Sequence, residues 1–111
     1  MLADDLKVLL ASCYGFAIKA QNFHWNVVGS DFLEYHELFG NIYEEVYGAI
    51  DPFAENIRKL GTFIPASLAR FNMLSQVAGE DNVIPKEQMV DLLTDIFIAN
   101  GGDNIKNLNL Q

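Results

Sequence analysis

The chain has 111 residues, and seven Lys and Arg against fifteen Asp and Glu leave a net charge of −8 with neutral histidines. Half of the residues are apolar and 12% are aromatic, enough for a packed core and against intrinsic disorder as the main state. The length suits one domain, 1–111, and the acidic balance argues against a dedicated nucleic-acid binder, which needs clustered Lys and Arg to neutralise phosphates. It fits a cation-handling protein better, although most acidic chains are simply soluble.

Cys13, the single cysteine, has no partner within the chain, so a reducing cytoplasmic compartment is expected. Two Asp precede Lys7 in the apolar start MLADDLKVLLASCYGF, unlike the basic opening of a signal peptide. No apolar stretch approaches the roughly 20 residues of a membrane span. A soluble protein without membrane contact is the expectation.

The first predicted element is a long amphipathic helix from Leu2 to about Val28. Leu6, Leu10, Cys13, Ala17, Ala20 and His24 recur at three- and four-residue steps and share one face, which Leu9, Phe16 and Phe23 widen. Gly29-Ser30-Asp31 breaks it, with Gly29 suited to a helix C-terminus and Ser30 or Asp31 to the next N-cap, Glu34 lying three residues after Asp31. A second long helix is predicted from about Phe32 to Leu60. Leu33, His36, Phe39 or Gly40, Tyr43, Val46 or Tyr47, Ile50, Ala54 and Ile57 carry its period, and Gly61 ends it. Pro52 lies inside. It predicts a kink between Gly48 and Pro52, the alternative being a helix that stops at Asp51 and restarts. Residues 62–85 read as a connection with a short helix near Ser67 to Gln76. A third main helix begins near Pro85 or Lys86, with Met89, Leu92, Leu93, Ile96 and Phe97 on its apolar side. Residues 98–111 form an Asn-rich tail that is expected to fray.

Both histidines flank the break. His24 lies six residues before Ser30 and His36 six after it, so an antiparallel hairpin would set the two imidazoles at matching height. Facing imidazoles on bundle helices are one way to hold a transition metal. Asp51 and Glu55 form a second pair, one turn apart on one helix face, and offer hard oxygen donors suited to iron or manganese. The pairs cannot meet within one straight helix: fifteen residues separate His36 from Asp51, roughly 22 Å at the helical rise. Either they belong to different features, or a two-fold axis brings Asp51 and Glu55 of one subunit to His24 and His36 of another. Plainer roles are open to each: core or interface histidines, an N-cap at Asp51, a helix-dipole partner at Glu55 and a packing anchor at Trp25.

The stretch KAQNFHWNVVGSDFLEYHELFGNIYEEVYGAIDPFAENIRKLG, residues 19–61, resembles the Dps family of mini-ferritins, the DNA-protecting proteins of starved cells. His24-Trp25-Asn26, the second histidine His36 twelve residues on, and the Asp51/Glu55 pair match the family motif in kind and spacing. PASLARFNMLSQV is similar to the family's connection between helices two and three. The resemblance implies an all-α, ferritin-like four-helix-bundle fold, with three main helices, a short connecting helix and no fourth main helix within this chain. It implies a homo-oligomer, a dodecamer where the family assembly is retained. It implies a ferroxidase that oxidises Fe(II), usually with hydrogen peroxide, and stores Fe(III), protecting against oxidative stress. The iron ligands it implies are His24 and His36 from one subunit and Asp51 and Glu55 from another, with Trp25 beside them to intercept oxidising equivalents.

Three positions depart from the family pattern. Gly40 stands where an acidic ligand is usual four residues after the second histidine, and Glu37 and Glu44 are out of place to replace it. Pro52 directly follows Asp51. The chain leaves the pattern near Ile96, as a truncated or divergent C-terminal part would. Neither terminus carries the Lys-rich arm that many family members use on DNA, so weak or no DNA binding is expected. The alternative function is a helical assembly or DNA-compacting protein that keeps the fold without turnover.

Overall fold

The computed structural model describes residues 2–99, and side chains over 2–95. It contains α1 (Leu2–Asn26), α2 (Phe32–Arg58), α3 (Leu68–Leu74) and α4 (Lys86–Ala99). These are the three main helices and short connecting helix expected, and the described residues include no strand. Residues 100–111, most of the expected tail, lie outside the described residues, as do the side chains of Ile96 and Phe97.

α1 and α2 form the antiparallel hairpin. The pairings run in opposite directions along the two helices: Phe23 packs edge-to-face on Phe39, with centroids 5.9 Å apart, while Leu10 clusters with Phe53 and Ile57. Leu10, Cys13, Ala17, Ala20 and Phe23 of α1 are buried, as the apolar spacing requires. On α2 the buried positions are Phe39, Val46, Phe53 and Ile57. Phe53 is an addition to the expected set. Leu33 and Tyr47 are instead exposed, Leu33 because it sits in the first turn, beyond the packed part of the hairpin. α4 contributes Met89 and Leu93 to the main core with Phe16, Phe23 and Phe39, and α3 lays Phe71 against Tyr14 of α1.

The turn between the long helices is glycine-dependent at one point: Gly29 has φ +106°, the left-handed backbone that ends many helices. Asp31 occupies the N-cap of α2, but with φ 62° and no side-chain cap bond. A capping side chain works from an extended backbone; in the left-handed conformation Asp31 contributes only its carbonyl, to the Tyr35 N–H. The expected side-chain cap is therefore absent there. Ser67 does cap α3, accepting from the Arg70 N–H at 3.2 Å. α2 runs unbroken through Pro52, which rules out the stop at Asp51. The proline removes one backbone donor on a solvent-exposed stretch, where water can satisfy the Gly48 carbonyl.

The long connection is tied down by polar contacts from α1. The Lys19 ammonium, on a buried side chain, donates to the Ala78 carbonyl at 2.9 Å. The Asn22 amide donates to the Glu80 carbonyl, and the buried Ser12 hydroxyl accepts from the Gln76 N–H. Lys86, at the start of α4, donates to the Ser30 carbonyl at 2.7 Å and lies over the Tyr35 ring. It links α4 to the turn that holds the two histidines level.

Phe39 is fully buried, so Phe39→Ala is expected to cost about 3–5 kcal/mol in urea unfolding; a loss under about 1 kcal/mol would contradict this packing. Burial raises the Cys13 thiol from 9.0 to about 11. Native protein is therefore expected to react with iodoacetamide far more slowly than unfolded protein at pH 8. The unfolded thiol ionises first, so this group's contribution to stability is complete below pH 9.0 and is lost as the pH rises toward about 11.

Candidate metal centre

His24 sits in the last turn of α1 and His36 in the second turn of α2. The hairpin register places them face to face, with rings stacked at a centroid distance of 3.8 Å and an interplanar angle of 20°. Phe32, one turn before His36 on α2, stacks near it at 5.1 Å. It is a site neighbour absent from the sequence reading, and the four-residue step from His36 was its available signal. Both imidazoles are half-buried.

The hydrogen bonds are reciprocal. His24 Nδ1 lies 2.6 Å from the His36 carbonyl oxygen, and His36 Nδ1 lies 2.6 Å from the His24 carbonyl oxygen. A carbonyl only accepts, so each Nδ1 carries its hydrogen and donates. In the neutral ring this leaves the lone pair on Nε2. Metal-binding histidines are typically held in this way, one ring nitrogen donating to a carbonyl or carboxylate while the other faces the metal. The pair therefore meets the chemical requirement for two imidazole ligands.

The stacking also limits how they can be used. An imidazole lone pair lies in the ring plane, and a metal–nitrogen bond is about 2.1 Å long. Two nearly parallel rings with centroids 3.8 Å apart do not converge on one ion at that range. As placed, each ring can serve its own ion, or one ring must turn.

Asp51 and Glu55 are exposed on α2, one turn apart. The unbroken helix keeps Asp51 about 22 Å and Glu55 about 28 Å along its axis from His36, so one chain does not join the two pairs. Among the described residues, no three His, Cys, Asp or Glu side chains come together as a metal site. Trp25 is 65% exposed beside His24, rather than a buried anchor. Gly40 supplies no donor. A cavity of about 340 Å³, lined by Lys7, Phe63, Ile64 and Arg70 among others, lies away from the histidines, at the N-terminal end of α1.

A ferritin-like domain model matches residues 3–98. The chain belongs to the ferritin-like family. Its similarities point within that family to Dps proteins. It is 37% identical over 77 residues to a DNA protection during starvation protein of Helicobacter pylori, covering 69% of this chain and 54% of that one. It is 35% identical over 79 residues to antigen TpF1 of Treponema pallidum, covering 71% of this chain and 45% of that protein. The crystal structure of a Dps protein from Vibrio cholerae superposes with a TM-score of 0.86 at 28% identity, over 96% of this chain and 69% of that one. That protein is described as a member of a broad superfamily of ferritin-like diiron-carboxylate proteins. The chain spans about half the length of the curated relatives it matches. No described helix is long and apolar enough to cross a membrane.

Imidazole nitrogen NMR of the metal-free protein is expected to show both neutral histidines with hydrogen on Nδ1. A predominant Nε2–H form at either residue would contradict the reciprocal bonds.

Proposed function

We propose that this ferritin-like chain is the subunit of a Dps-type ferroxidase and iron store, in which two subunits share each site. His24 and His36 of one subunit bind the substrate Fe(II) through Nε2, and Asp51 and Glu55 of another complete the coordination. The observation that carries this reading is the reciprocally bonded histidine pair: two imidazoles fixed in the ligand tautomer, with no third donor converging on them among the described residues. The exposed carboxylates on α2 offer the complementary half. Trp25, Val28, Phe32 and Leu33 are large apolar side chains exposed at the same end of the hairpin, and a second copy would cover them.

The chemistry follows from the donors. Carboxylate charge favours Fe(III) over Fe(II), which assists electron loss, and the neutral imidazoles complete coordination without adding charge. Two ferrous ions give up one electron each. Hydrogen peroxide takes both electrons and two protons and leaves as two waters, so no hydroxyl radical is released. Trp25, beside His24, is placed to intercept a stray oxidising equivalent. A net charge of −8 per chain favours accumulation of cations, and storage of Fe(III) requires a closed assembly. Reduced cytoplasmic conditions suit both the ferrous substrate and Cys13. A role in protecting DNA would follow from iron removal rather than from contact, because the basic residues are few.

Peroxide-driven Fe(II) oxidation, followed by ferric absorbance, is expected in the wild type and lost in both His36→Ala and Asp51→Asn. Refolding the two variants together tests the sharing. A mixed dimer has one site carrying both lesions and one intact site, so an equimolar mixture is expected to recover about a quarter of wild-type activity. Light scattering on the same samples should show an assembly larger than a dimer. Inactive single variants that recover nothing on mixing would place each site within one chain; full activity in His36→Ala would end the assignment.

A further inference from the structure

The two carbonyls that receive the imidazoles are accessible for different reasons. The His24 carbonyl belongs to the last turn of α1, which ends at Asn26. Carbonyls there have lost the helical partner four residues on, so this one is open to His36. The His36 carbonyl lies inside an unbroken helix, where its regular partner is the N–H of residue 40. A Cβ leans toward the N-terminus of its helix, so a side chain at position 40 would stand over the turn that presents this carbonyl.

Residue 40 is glycine, and the His24 ring uses that space. A Cβ at position 40 would lie 2.8 Å from both Nδ1 and Cε1 of His24 and 3.7 Å from Cγ. The nitrogen it would crowd is the one that donates to the His36 carbonyl. Glycine inside a helix is otherwise unfavourable, and the second interior glycine of α2 gives the comparison: a Cβ at Gly48 would meet nothing within 4 Å.

We propose that Gly40 is a positioning residue for His24: its missing Cβ opens the His36 carbonyl to the His24 Nδ1–H, which fixes the tautomer that presents Nε2 to a metal. This rests on the reading of His24 as an iron ligand. It also gives position 40 a positive role. A carboxylate there would need a Cβ, and that Cβ and the present His24 ring cannot occupy the same space.

The test uses the full chain with Gly40→Ala, Gly48→Ala and His24→Ala, and Co(II) as the probe metal. The clash at position 40 is with the end of a side chain that can rotate away, so Gly40→Ala should keep its helical circular dichroism. In the metal-free protein, Gly40→Ala is expected to lose the Nδ1–H form of His24 while His36 keeps its own. Its Co(II) dissociation constant should rise roughly ten- to a hundredfold, the usual effect of removing a partner behind a metal-binding histidine. Gly48→Ala should change neither readout. An unchanged His24 tautomer and Co(II) affinity in Gly40→Ala would overturn the proposal, as would equal effects from Gly48→Ala or loss of the helical signal. If His24→Ala leaves Co(II) binding intact, the ligand reading fails, while the tautomer in Gly40→Ala still decides whether the glycine positions the ring.

Discussion

The register between α1 and α2 governs this molecule. Phe23 against Phe39 at one end, and Leu10 against Phe53 and Ile57 at the other, fix an alignment of the two helices in which these five side chains are buried. A shift by one turn would expose at least one phenylalanine, and each such burial is worth several kcal/mol on truncation. The same alignment puts His24 level with His36, so the geometry of the histidine pair is inherited from hydrophobic packing.

Polar contacts then hold what the register sets. The imidazole–carbonyl bonds close the hairpin on its exposed side, and Lys86 fastens the turn to the start of α4. Buried Lys19 and Ser12 and half-buried Asn22 draw the long connection onto α1. Of the seven basic residues in the chain, Lys19, Arg58 and Lys86 bond to backbone carbonyls. The net charge of −8 and a histidine pair bonded through Nδ1 are the features on which the proposed capture of ferrous ions rests.

One chain nevertheless provides only half of the proposed centre. The helix that carries His36 also carries Asp51 and Glu55, and its unbroken run through Pro52 keeps them several turns apart. The rigidity that orders each pair prevents them from meeting, which makes association between copies a chemical requirement for the proposed site.

Much of this was legible in the sequence. Apolar spacing gave both long helices to within two residues at their ends, and the symmetric placement of His24 and His36 about Ser30 anticipated their meeting. The HWN motif, His36 and the Asp51/Glu55 step indicated the ferritin-like family that the fold bears out. Other features were not legible because they depend on atoms brought together only by packing. Asp31 looked like a capping residue, but its left-handed backbone takes the side chain out of reach. Gly40 read as a missing ligand, because nothing in a linear pattern shows that the His24 ring lies where its Cβ would be. The sequence by itself determined the elements, their apolar faces and the residue types able to bind a metal, since these follow from period and composition. The tertiary structure decided the hydrogen-bond partner of each imidazole and the closeness of the His24 ring to position 40, since these follow from distances between helices.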